Sequence, residues 1–121
     1  MTSRPVAANR CFTAAPGEEV PMYDMANLKK VKTLQELAPE GMAAYLALND
    51  VAMKDGAIPR KYKELMALAV AFTTQCPYCI EVHAKAARAA GVTDAEIAEA
   101  AVVAASLRAG AAITHATHAI G

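Results

Sequence analysis

Apolar residues in this chain recur in helical steps, and the strand pattern of alternating apolar and polar residues is missing. Leu28, Val31, Leu34 and Leu37 follow one another at intervals of three. A second set, Met42, Tyr45, Leu46, Leu48, Val51, Ala52 and Met53, lies between Pro39 and the Asp55-Gly56 stop. A third, Tyr62, Leu65, Met66, Ala69, Val70 and Phe72, gives a broad apolar face. Spacing of this kind puts apolar side chains on one side of a helix. Alanine, the best helix former, is by far the commonest residue. β-branched residues alternating with polar ones are not found in any segment. Met66 to Phe72 is a continuous apolar run that would also suit a buried strand. Lys61, Lys63, Glu64 and Leu65 on its N-terminal side favour helix. The expected fold class is all-α, a compact helical domain of about five to six helices.

Punctuation residues divide the chain. Pro5, Pro16 and Pro21 mark residues 1–22 as an N-terminal arm, which leaves 23–121 as the helical domain. A first helix is expected over Met25–Leu37. Pro39 can open a second at its first turn, and Ile58-Pro59 starts a third that runs to Gln75. A fourth runs from Pro77 to about Ala90, where Gly91 offers the left-handed residue that ends helices easily. Thr93 and Glu96 are spaced as a capping box for a long alanine-rich helix, with a break expected near Gly110.

With 121 residues the chain suffices for one core. Twelve basic and twelve acidic residues cancel, which argues against a nucleic-acid or anionic-membrane partner. The N-terminal residues show no apolar run of a secretory signal. Leu65–Phe72, the longest unbroken apolar tract, is too short to span a bilayer. The expectation is a soluble, cytoplasmic protein. Small alanine side chains bury little area each, at about 25 cal/mol per Å², so further helix faces are expected to be buried in an oligomer.

Cys76-Pro77-Tyr78-Cys79, followed by His83, concentrates the reactive groups. Two thiols three residues apart can close a short redox disulfide. His83 lies four residues past Cys79, about one turn away on the same helical face. At a helix start, free amides and the dipole favour a thiolate. A thiolate attacks disulfides and hydroperoxides, and a neighbouring thiol can resolve the resulting sulfenic acid. Two other readings stay open. Cys76, Cys79 and His83 are plausible zinc ligands, with Glu64, His115 or His118 as a fourth. Buried cysteines can also be inert packing, the reading applied to Cys11. Cys-Pro-Tyr-Cys also occurs in glutaredoxins. Their motif follows a strand within a βαβ unit, and this chain has no such unit, so the tetrapeptide match is read as convergent.

Glu64 precedes Cys76 by twelve residues, within Lys61-Tyr62-Lys63-Glu64-Leu65-Met66. Cys76-x-x-Cys79-x-x-x-His83, Gly91-Val92-Thr93 and Glu96-Ile97 follow. This pattern resembles the AhpD-like alkylhydroperoxidase branch of the carboxymuconolactone decarboxylase family, from Ala38 to about Ala112. The resemblance implies an all-helical subunit assembled as a trimer or hexamer, without a cofactor. It implies Cys79 as peroxidatic cysteine and Cys76 as its resolving partner. His83 would move protons at the Cys79 sulfur, and Glu64 would orient or relay to His83. The substrate would be a hydroperoxide and the electron donor an external dithiol. Some peroxidase members carry a His immediately before the second cysteine; here Tyr78 stands there, a poor base at neutral pH. The family's lactone decarboxylases generally lack the paired cysteines, which makes small-acid decarboxylation the alternative activity. Glu81 is expected to point away from Cys79 and His83, because successive helical residues differ by about 100°. His115 and His118 are expected to meet the dipole at the end of the last helix.

Overall fold

Five α-helices and one short 3-10 helix are present in the computed structural model, which describes residues 23–121. Among the described residues there is no strand. Cys11 and the proposed arm lie outside them. The 3-10 helix spans Met25–Lys30 and leads into α1 (Val31–Leu37). The single helix expected over Met25–Leu37 is therefore split. Its start is wound tightly: the Asn27 amide donates to the Asp24 carbonyl at 2.9 Å, and the Asp24 carboxylate accepts from the Ala26 amide. Pro39 opens α2 (Pro39–Met53) at the position where its missing N–H costs nothing.

Helix α3 (Arg60–Thr74) is the centre of the fold, with α4 (Pro77–Ala89) and α5 (Asp94–Ala116) packed against it. The core is small. Leu68 of α3, Ala87 of α4 and Val92 of the connecting turn form it, and Leu65, Phe72, Ala84 and Ile97 pack around them. Gly91 holds φ +85°, and the Val92 amide reaches back to the Ala87 carbonyl at 3.0 Å. This left-handed stop seats Val92 in the core.

The capping box at α5 is complete. The Thr93 amide donates to the Glu96 carboxylate at 2.8 Å, and the Glu96 amide donates to the Thr93 hydroxyl at 3.2 Å. The amide of Thr93, and after it the Lys61 ammonium, hold the Glu96 carboxyl below its ordinary range. Lys61 reaches Glu96 at 3.0 Å, tying α3 to α5. The break expected near Gly110 does not occur; α5 runs unbroken through it. One glycine costs a helix about 1 kcal/mol, too little to stop it among so many alanines. By length and composition alone α5 could cross a membrane. Its N-terminal part packs against α3, and it opens with Asp94, Glu96 and Glu99.

Large apolar side chains remain uncovered on this chain. Val102, Val103, Leu107 and Ile113 on α5 are all exposed, as are Tyr45, Leu48 and Val51 on α2.

Candidate active site

Gln75 creates the site by reversing the chain. It adopts φ 56° and ψ 45°, the left-handed conformation, directly after α3. Its own amide and that of Cys76 both donate to the Ala71 carbonyl, Cys76 at 3.2 Å. Helix α4 then runs back along α3, and His83 meets Glu64. The contact is direct, with His83 Nδ1 2.8 Å from Glu64 Oε2.

Glu64 is 1% exposed, among the most buried side chains described. A buried carboxylate needs partners for both oxygens. His83 takes one, and the Arg60 guanidinium stands 3.4 Å from the other. With the carboxylate at Nδ1, a ring protonated there has Nε2 as its basic nitrogen. Arg60 is a site residue that the motif pattern leaves out. Its one sequence signal is its position, one helical turn before Glu64.

Cys76 is the N-cap of α4, and the Cys79 amide points at its sulfur across 3.4 Å. Both cysteines are free thiols, with the sulfurs 2.9 Å apart. The Cys79 thiol, assisted by the Cys79 amide, holds the Cys76 thiol below its ordinary range. The same sulfur–sulfur hydrogen bond, with partial burial, pushes Cys79 up. Within the pair, Cys76 is therefore the thiol that ionises more readily and Cys79 the one that holds its proton more firmly.

Cys79 and His83 together border a cleft of about 380 Å³, lined mostly by apolar residues that include Met53, Ile58, Met66 and Val70, with Lys63 and Thr74 among them. His83 also borders a second, polar cleft of about 230 Å³ with Asp50, Arg60 and Glu64. The imidazole thus borders both an apolar cleft that holds the Cys79 sulfur and a more polar one.

The remaining candidates fall elsewhere. Glu81 makes an exposed ion pair with Lys85 at 2.9 Å, turned from the site as expected. The rings of His115 and His118 lie 5.6 Å apart at the exposed end of α5, where His115 Nδ1 meets the Ala111 carbonyl at 2.8 Å. They line neither cleft. Among the described residues, no three His, Cys, Asp or Glu side chains are grouped to hold a metal ion. Tyr78 has a structural role. Its hydroxyl accepts from the Asn27 side chain at 3.0 Å, and its ring leans on Tyr23. These contacts fasten the 3-10 helix to the CxxC helix.

Fold and site together define a small all-helical protein whose paired thiols open a helix beside a buried carboxylate–imidazole pair. Residues 39–120 match the model of the carboxymuconolactone decarboxylase family, and the chain belongs to that family. The likeness of Glu64, the CxxC and His83 to the AhpD-like branch is consistent with this. One similar protein is "Uncharacterized protein 4 in cox locus" of Paracoccus denitrificans, 46% identical over 102 residues, covering 82% of this chain and 92% of that one. Among solved structures, a protein from Methanobacterium thermoautotrophicum superposes with a TM-score of 0.67 at 32% identity, covering 73% of this chain and 99% of the other. A carboxymuconolactone decarboxylase family protein from Legionella pneumophila, solved in its apo form, superposes at 0.64 and 32% identity. That match covers 68% of this chain and 73% of the other.

Proposed function

We propose that this protein is a thiol-dependent peroxidase, or a disulfide reductase using the same dithiol, with Cys79, Cys76, His83 and Glu64 as its working residues. The observation that carries the reading is the placement of two reduced sulfurs 2.9 Å apart, one of them sharing an apolar cleft with a carboxylate-oriented imidazole.

A hydroperoxide enters the apolar cleft and meets Cys79. His83 Nε2 takes the Cys79 proton as the sulfur attacks the terminal peroxide oxygen. The O–O bond breaks, and the leaving alkoxide receives a proton from the imidazolium and departs as an alcohol. Cys79 is left as sulfenic acid. Cys76, already biased toward thiolate, attacks the Cys79 sulfur and expels hydroxide, which is protonated to water. The resulting Cys76–Cys79 disulfide is returned to two thiols by an external dithiol, which is itself oxidised. Glu64 holds the imidazole in its working tautomer throughout.

Further support concerns the setting. Free thiols that must be recycled suit the reducing cytoplasm. The uncovered apolar faces of α2 and α5 favour a homo-trimer or hexamer over an isolated subunit.

The test is turnover of an organic hydroperoxide with a dithiol donor. Cys79→Ser should abolish it. Cys76→Ser should permit one round of oxidation with no disulfide formed. Full turnover in either variant refutes the mechanism.

A further inference from the structure

The cleft beside Cys79 is chemically lopsided. Ala67, Val70, Ala71 and Thr74 of its lining lie four, seven, eight and eleven residues beyond Lys63, which lines it too. These spacings place them in one stripe along α3. From Lys63 to Thr74 that stripe is about 16 Å long, at 1.5 Å per residue. Cys79 belongs to the Thr74 end, because its sulfur touches that of Cys76, two residues past the end of α3.

Lys63 is half-buried, and its ammonium donates to the Lys54 carbonyl at 2.7 Å. That bond anchors the head of the side chain and leaves two N–H donors for a ligand. Among the described residues no carboxylate pairs with it. Asp50 and Arg60 face the polar cleft on the other side of His83, and the Glu64 carboxylate is committed to His83 and Arg60. Besides Cys79 and His83, Lys63 is the one ionisable residue lining the apolar cleft.

We infer that this cleft binds a long-chain carboxylic acid, its carboxylate on Lys63 and its chain along Met66, Ala67 and Val70 toward Cys79. The inference rests on the reading of the cleft as the entrance to Cys79. It narrows the substrate class to hydroperoxides of free fatty acids oxidised well along the chain, far from the carboxylate. A volume of about 380 Å³ suits a single chain and not a two-chain lipid. One lysine with two open donors matches one carboxylate.

Protection of Cys79 against iodoacetamide, with the adduct located by mass spectrometry, tests this on the reduced full-length protein. Dodecanoate, below its micellar concentration, should protect at least tenfold more tightly than dodecan-1-ol. Hexanoate should give no protection, being too short to reach from Lys63 to the sulfur. Lys63→Met should shrink the acid-over-alcohol preference below threefold, and Lys63→Arg should keep it. Equal protection by acid and alcohol on the native chain overturns the inference, as does an undiminished preference in a folded Lys63→Met protein. If that variant does not fold, the native comparison decides alone. Absence of hydroperoxide turnover alongside intact acid-selective protection would remove the peroxidase reading and leave the binding site standing.

Discussion

Replacing Glu64 with glutamine keeps the shape of a side chain that is only 1% exposed and removes its charge. Glutamine can still accept from His83 Nδ1, so the ring keeps its orientation. What is lost is the charge assistance of a 2.8 Å hydrogen bond. A hydrogen bond to an ionised group contributes about 1.5–3 kcal/mol, against about 0.5–1.5 for a neutral pair. The loss is then about 1–1.5 kcal/mol of stabilisation for the imidazolium that forms as Cys79 attacks. At 1.36 kcal/mol per factor of ten, Cys79 oxidation should slow roughly five- to tenfold. Arg60 changes this little, since its contact is 3.4 Å long and its side chain is half exposed. The assay is single-turnover loss of free thiol after peroxide is added, quenched by alkylation at timed intervals. His83→Gln and the double variant complete a cycle. If Glu64 acts through His83, the double variant should be no slower than His83→Gln alone. A Glu64→Gln protein oxidised at the native rate would refute the reasoning, and so would penalties that simply multiply.

Four further outcomes are expected. Iodoacetamide should label Cys76 with a pH midpoint below that of an ordinary thiol, and Cys79→Ala should raise that midpoint, because the Cys79 thiol is the main cause of the lowered value. The stability drawn from those hydrogen bonds is complete above the ordinary thiol pKa and fades as pH falls through the lowered folded value, which melting of native and Cys76→Ala proteins across pH should reveal. Gln75→Gly should stabilise by up to about 1 kcal/mol, since a left-handed non-glycine residue costs roughly 1–2 kcal/mol and glycine returns part of that as backbone entropy; a melting temperature that falls would contradict this. If the proposed oligomer uses the exposed face of α5, Leu107→Glu should lower the mass seen by light scattering, and an unchanged mass would exclude that face.

Most helices are legible from periodicity because the apolar spacing is strong and the stops are explicit. Pro39, Gly91 and the Thr93–Glu96 box each act within a few residues of themselves. The first helix is harder to read, because its 3-10 start depends on Asp24 capping over two residues and on Asn27 reaching Tyr78. Gly110 gives a misleading signal, since a single glycine is weak against its helix-forming neighbours. The left-handed conformation of Gln75 carries no signal in the sequence, because glutamine is an uncommon choice there.

The sequence by itself determined the reactive chemistry: a dithiol at a helix start with an imidazole one turn on, because those relations are local and follow from helical geometry. Only the tertiary structure decided how that chemistry is governed. The burial of Glu64 against His83, the Arg60 contact, the bias of charge toward Cys76 and the lysine-tipped apolar cleft depend on how α3 and α4 lie against each other and on what surrounds them. Desolvation and electrostatic strength are set by those surroundings, which local spacing does not specify.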